Sequence, residues 1–199
     1  GWAKAQSAKG NLTVAGQLNP LKIGTLEFAA PGLSLAGDLK TTAEGKVSDV
    51  RLSRLQAAGW LDAAVTLGLR ENAAPLISVT GGTVDVSKIP GSKSGGGEGG
   101  PIRLSDMTVR ITSGIALQQF NGDFDTTGGL RGNFTAKVNG GAPVEGLIAP
   151  SRGRSAIRVT SEDGGDVIRL GNQRFAVNTQ ALDLPTVLRG GELCLHLTG

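Results

Sequence analysis

The chain has one cysteine, Cys194, one histidine, His196, and no tyrosine. A lone cysteine closes no disulfide within the chain and assigns no redox compartment. Metal sites built from several His or Cys ligands are excluded by the same scarcity, and we expect neither metal nor cofactor. Aromatic residues are 4% of the total, and the net charge is only +3. The densest basic stretch, residues 152–158, has no aromatic residue in it. Nucleic-acid binders concentrate basic and stacking side chains, so we expect no nucleic-acid partner. No apolar run approaches the ~20 residues of a membrane-crossing helix, and no basic-then-apolar signal segment occurs. The chain opens at Gly1 without an initiator Met, and its last alternating pattern runs to Thr198 and Gly199. We therefore expect a piece of a longer protein, with any anchor or export signal elsewhere in the parent.

Signatures of catalysis are also missing. There is no G-x-S-x-G elbow, H-E-x-x-H, Walker loop or dinucleotide fingerprint, and no catalytic residue is assigned. His196 and Cys194 alternate with Leu193, Leu195 and Leu197, which assigns both to the polar face of a strand. Glu162, Asp163 and Asp166 fit helix capping better than a Ca²⁺ site, which needs more oxygen ligands at set spacing. Asp123 and Asp125 flank Phe124 as a solvated face. Asn11-Leu12-Thr13 and Asn133-Phe134-Thr135 match a sequon short enough to arise by chance. Trp2 and Trp60 fit packing at a sheet end better than a membrane interface, since no amphipathic helix accompanies them.

What is abundant is glycine, with 32 residues, and period-two alternation. Leu12, Val14 and Leu18 alternate with Thr13 and Gln17. Leu33, Leu35 and Leu39 alternate with Ser34, Asp38 and Lys40. Leu61, Ala63, Val65, Leu67 and Leu69 alternate with Asp62, Thr66 and Arg70. Leu130, Phe134, Ala136 and Val138 alternate with Arg131, Asn133, Thr135 and Lys137. This is the pattern of strands with one apolar and one polar face. Turn signals separate the runs, the strongest being Asn139-Gly140, which should join strands over 130–138 and 144–148 as a hairpin. We count about eleven strands. Two short helical pieces are expected, over 162–170 and 184–189.

In four places the alternation changes phase: between Ile23 and Leu26, Val79 and Val84, Leu104 and Met107, and Leu117 and Phe120. A one-residue slip would expose the wrong face, so each place must hold a β-bulge or a turn between shorter strands. The stretch 91–100 is almost entirely Gly and Ser and reads as a flexible linker. It divides the chain into a first sheet segment, 1–90, and a second, 101–199, that carries the helical pieces.

So many strands with one apolar face present more apolar surface than two short helices can hide. The sheet must fold over as a sandwich, close as a barrel, or curl into an open trough filled by something else. Composition alone favours the closed cores. An open trough would be a binding surface, and its aliphatic lining would suit acyl chains.

Several stretches resemble the AsmA-like superfamily, in particular the C-terminal part of its YhdP/TamB-type envelope proteins. They are Ala29-Ala30-Pro31-Gly32-Leu33, Gly59-Trp60-Leu61-Asp62-Ala63 and Gly81-Gly82-Thr83-Val84-Asp85-Val86. A fourth runs from Ser113-Gly114-Ile115 to Val138-Asn139-Gly140-Gly141. The fifth starts at Ile157-Arg158-Val159 and ends at Arg189-Gly190-Gly191-Glu192-Leu193. The resemblance implies a curled, mainly antiparallel all-β sheet with an apolar inner groove. It implies the periplasmic part of an inner-membrane-anchored protein that carries phospholipid acyl chains between inner and outer membranes. It implies no enzyme activity. The groove lining expected on this reading is Leu35, Leu39, Val65, Leu67, Val109, Ile111, Phe124, Leu130, Phe134 and Val138. The rival expectation is a non-catalytic β-sandwich scaffold or assembly module of the envelope. The membrane helix of the family is not in this sequence, and the 91–100 linker interrupts the sheet pattern.

Overall fold

The computed structural model describes residues 9–18, 21–89, 99–151, 154–162 and 193–198. They form a single mixed sheet in which strand order equals chain order. The strands are β1 (Asn11–Leu18), β2 (Leu21–Ala30), β3 (Leu33–Thr41), β4 (Val47–Ala57), β5 (Leu61–Arg70) and β6 (Ala73–Asp85). After a 3₁₀ turn at Val86–Lys88 come β7 (Pro101–Thr112), β8 (Ile115–Asp125), β9 (Arg131–Val138), β10 (Ala142–Ser151), β11 (Arg154–Ser161) and β12 (Leu193–Thr198). The two expected helices, over 162–170 and 184–189, fall almost wholly outside the described residues.

The sheet is all-β and open. β1 and β12 are its two edges and do not pair with each other, so the sheet does not close into a barrel. Every neighbouring pair is antiparallel except β6 and β7, which run parallel from Ile77↔Ile102 to Asp85↔Arg110. The Gly/Ser linker lies between these two strands. Its last residues, Gly99 and Gly100, are in place: Thr126 Oγ1 accepts from Gly100 N–H at 2.9 Å, and Thr126 N–H donates to Gly100 O at 3.1 Å. The sheet thus runs unbroken from the first segment into the second, and the connection between them returns from one end of the strands to the other.

Hairpins close where turn chemistry placed them. Asn139 and Gly140 hold φ of 48° and 79°, and Gly141 N–H donates to Val138 O at 3.0 Å. Positive φ at both central residues is the type I′ arrangement, whose twist matches the flanking strands. Asn139 adds a second role. Its Oδ1 accepts from Ala116 N–H at 2.9 Å and its Nδ2 donates to Gly114 O at 3.1 Å, tying this turn to the β7–β8 turn.

All four phase changes are bulges within continuous strands. The register slips by one on β2 between Ile23 and Leu26, on β6 between Thr80 and Thr83, on β7 between Leu104 and Met107, and on β8 between Gln118 and Asn121. Another bulge at this level, on β4 between Leu52 and Leu55, is not among the phase changes named above. The pairings put these bulges at one level, so they form a transverse line from β2 to β8. Bulges bend a strand and raise its twist. A row of them creases the sheet.

One side chain holds two of these bulges. Asn121 Oδ1 accepts from Asp106 N–H at 2.9 Å, and its Nδ2 donates to Gln119 O at 2.8 Å. Asp106 and Gln119 are the bulge residues at φ 51° and 50°. Asn121→Ala removes both bonds, and we expect a loss of ~1–2 kcal/mol, read as a lower urea midpoint at constant m-value.

Burial concentrates along the crease. Met107 is 0% exposed, and Leu52, Ala63, Val65, Val79, Val109, Phe120, Phe134, Ala136, Val138 and Val144 form one buried cluster with it. No α-helix among the described residues lies over the cluster. Curling and glycines achieve the burial instead. Phe134 lies against Gly146 of the next strand, so that a Cβ there would sit 2.7 Å from ring atom Cε2. Phe124 occupies the space over Gly122 and Gly132 in the same way. The ring centroids of Phe120 and Phe134 are 4.8 Å apart and those of Phe120 and Phe124 6.2 Å, with interplanar angles of 21° and 12°. The three rings pave the inner face.

Candidate functional site

Paired residues across a ladder share a face, so the register traces what the inner face is made of. One row runs Val14, Leu26, Gly37, Leu52, Val65, Val79, Leu104, Gly122, Phe134, Gly146, Val159, from β1 to β11. A second runs Leu39, Val50, Leu67, Ile77, Ile102, Phe124, Gly132, Ile148, Ile157. On the other side of the crease, Leu33, Ala57, Leu61, Val84, Val109, Leu117, Val138 and Ala142 make a third. No charged residue interrupts any row. At ~4.8 Å between strands, such a row measures roughly 50 Å.

The sequence-derived lining residues fall on this face with two exceptions of position. Leu39, Val65, Leu67, Val109, Phe124, Phe134 and Val138 lie in the rows just traced. Leu35 pairs with Phe28 on one side and Leu55 on the other. Ile111 is 39% exposed near the end of β7, beyond the buried cluster. Leu130 precedes β9 in the β8–β9 turn and is 37% exposed. Leu52 and Val79 in these rows, and Met107 and Val144 in the buried cluster beside them, were not among the expected lining residues. Leu52 was missed because the β4 bulge breaks the alternation of Val50 and Leu52 with Leu55 and Ala57. Met107 was seen only as a phase change.

The inner face has two characters. Around the crease it is closed upon itself. Toward β1 it opens: Leu12 and Val14 are 63% and 50% exposed, and Leu26, Phe28 and Leu35 are half-buried.

The outer face is polar. Arg54 pairs with Asp62 at 3.0 Å, Gln56 Nε2 donates to the same carboxylate at 2.9 Å, and Arg103 pairs with Asp123 at 2.7 Å. The Arg54 hydrogen bond, then that of Gln56, holds the Asp62 carboxyl below the ordinary aspartate range. Asp85 is lowered by the Ser87 and then the Lys88 hydrogen bond, and Asp125 by the Thr127 backbone N–H. A depressed carboxyl contributes stability above its unfolded pKa and loses it as pH falls through its folded pKa. These groups are exposed, so the contribution is small.

At one end of the sheet a shallow depression of about 490 Å³ lies between Ala30, Gly32, Trp60, Asp62, Asp85 and Arg110. Trp60 sits half-buried there in the β4–β5 turn, and its carbonyl accepts from Asp85 N–H at 2.7 Å. Sheet-end packing is thus its place, as the sequence pattern indicated; Trp2 lies outside the described residues. Among the described residues no group of three or more His, Cys, Asp or Glu is placed to hold a metal. Cys194 and His196 stand at register positions opposite Thr160 and Arg158. Glu162 is exposed, and Asp163 and Asp166 lie outside the described residues. No helix among the described residues is long and apolar enough to cross a membrane.

No protein-family model, curated protein or solved structure matches the chain.

Proposed function

We propose that this sheet is a lipid-carrying segment whose inner face accommodates acyl chains running across the strands. The observation behind this reading is the set of apolar rows, uninterrupted by charge across eight to eleven neighbouring strands of one open sheet. An acyl chain needs apolar surface and no fixed polar contacts, and exposed Leu12 and Val14 with half-buried Leu26, Phe28 and Leu35 supply it at the β1–β3 end. The half-open β1–β3 part of the face is where a chain would first find uncovered surface. On this reading the parent is an AsmA-like, inner-membrane-anchored periplasmic protein of the YhdP/TamB type, moving phospholipid between inner and outer membranes without catalysis.

Native mass spectrometry of the purified segment tests the reading. Phospholipid-sized adducts are expected on the wild-type chain. Phe28→Glu with Leu35→Glu, on the half-open part of the face, should remove them while leaving the circular dichroism spectrum unchanged. A folded wild-type sample free of lipid would count against lipid carriage.

The closed packing around Met107 favours a second reading, a non-catalytic scaffold module of the envelope whose inner face is simply its core. The same spectra separate the two, because a scaffold yields no lipid adduct and no response to the paired Glu substitutions.

A further inference from the structure

Asn-Gly occurs twice in the chain, at Asn121-Gly122 and Asn139-Gly140. This dipeptide carries its own chemistry, because a glycine nitrogen has no Cβ beside it and can attack the Cγ of the preceding amide. In both places the structure opposes that attack by engaging the amide at both ends. Asn121 bonds Asp106 N–H and Gln119 O. Asn139 reaches to the β7–β8 turn, its Oδ1 accepting from Ala116 N–H at 2.9 Å and its Nδ2 donating to Gly114 O at 3.1 Å. The two sites differ in what must open to free the amide. Asn121 lies inside β8 with β7 and β9 paired on either side, next to buried Phe120, and Gly122 lies under the Phe124 ring. Asn139 and Gly140 are the central residues of a turn at the end of the sheet, where a Cβ on Gly140 would meet only the Gln118 side chain. Turns open locally at lower free energy than strands of a core.

We propose that Asn139 is a site of self-modification by deamidation, held in check by its two bonds to the β7–β8 turn. When the two turns part, the Gly140 nitrogen forms a bond to Asn139 Cγ and gives up its proton to solvent. The Cγ–Nδ2 bond breaks, and the nitrogen takes a proton from solvent and leaves as ammonia. Water then opens the five-membered imide at one carbonyl or the other, giving aspartate or isoaspartate. Aspartate keeps the type I′ turn, since Asp-Gly also fits it, but its second oxygen faces the Gly114 carbonyl with no proton to donate. Isoaspartate adds a methylene to the backbone of a two-residue turn and breaks its geometry. Either product unties the β9–β10 turn from the β7–β8 turn, next to buried Val138 and Ala142.

Mass-spectrometric peptide mapping of the full chain, held at mildly alkaline pH in native buffer and in concentrated urea, tests this. In urea both asparagines should convert at similar rates. In native buffer Asn139 should convert at least about tenfold more slowly than in urea, because two hydrogen bonds must first break. Asn121 should convert more slowly still. Asn139→Asp, which is the aspartate product, should lower the urea midpoint at constant m-value. A native Asn139 that converts as fast as in urea, one that never converts, or an Asn121 that converts first overturns the proposal. So does an Asn139→Asp chain as stable as the wild type, because the amide then ties nothing together.

Discussion

Gly82→Ala should be among the most damaging single-methyl changes in this protein, lowering stability by ~3 kcal/mol or more. Gly82 lies in the β6 bulge at φ 85°, and an added Cβ would sit against the Asp62 carbonyl oxygen and 2.8 Å from Ala63 Cα. Both obstacles are backbone of the neighbouring strand, so relief requires β5 and β6 to separate. For a chain of this size the loss corresponds to a fall in Tm of roughly 6–12 °C. Gly81→Ala is the matched control. Gly81 has a similar φ of 64°, but no atom lies within 4 Å of the added methyl. Only the left-handed backbone strain remains there, about 1–2 kcal/mol. Equal Tm shifts for the two variants would show that the bulge does not bring the strands into the described contact.

The second large effect is Phe134→Ala, expected to cost ~3–5 kcal/mol. Phe134 is buried on the crease, stacks on Phe120, and covers Gly146, so truncation opens a cavity with a bare backbone floor. Phe28→Ala, on the half-open part of the same face, should cost less than half as much, because its ring is already partly in solvent. Guanidinium denaturation of both variants compares them directly. A Phe28 penalty as large as that of Phe134 would mean that the β1–β3 region is as tightly covered as the crease.

The contrast between these two phenylalanines shows what the sequence could convey. Period-two alternation identified strands and the apolar face correctly, because side-chain direction in a strand depends only on residue parity. Asn139-Gly140 was legible for a similarly local reason, since positive φ at both positions restricts the residues that fit. Phase changes were legible as faults in the alternation, and Gly81-Gly82 or Ser105-Asp106 marked their positions. Whether each was a bulge or a turn depended on neighbouring strands, which no local pattern encodes. The β4 bulge at Ser53-Arg54 has no glycine and, like that at Gln118-Gln119, shows only as a change of phase, from Leu52 to Leu55. Openness was the least legible property. A curled layer that buries its own face uses the same residues as a sandwich, and the difference rests on glycines such as Gly122, Gly132 and Gly146 lying beside phenylalanines of the same or the adjacent strand. The parallel pairing of β6 with β7 was also invisible, since the linker length suits a crossover but does not require one.

That parallel pair divides the folding of the chain into unequal tasks. Antiparallel neighbours joined by tight turns can zip one hairpin at a time, each step closing a loop of a few residues on a microsecond scale. The β6–β7 ladder has no hairpin to start it, and its strands meet only after a long loop closes. The β1–β6 and β7–β11 meanders should therefore form early and dock late, as should β12, which joins β11 across a still longer connection. Because loop-closure entropy grows only logarithmically, doubling the connection would cost about 0.6 kcal/mol. Evolution or engineering can thus vary this one connection freely, whereas a single added residue in a crease strand reverses every side chain beyond it.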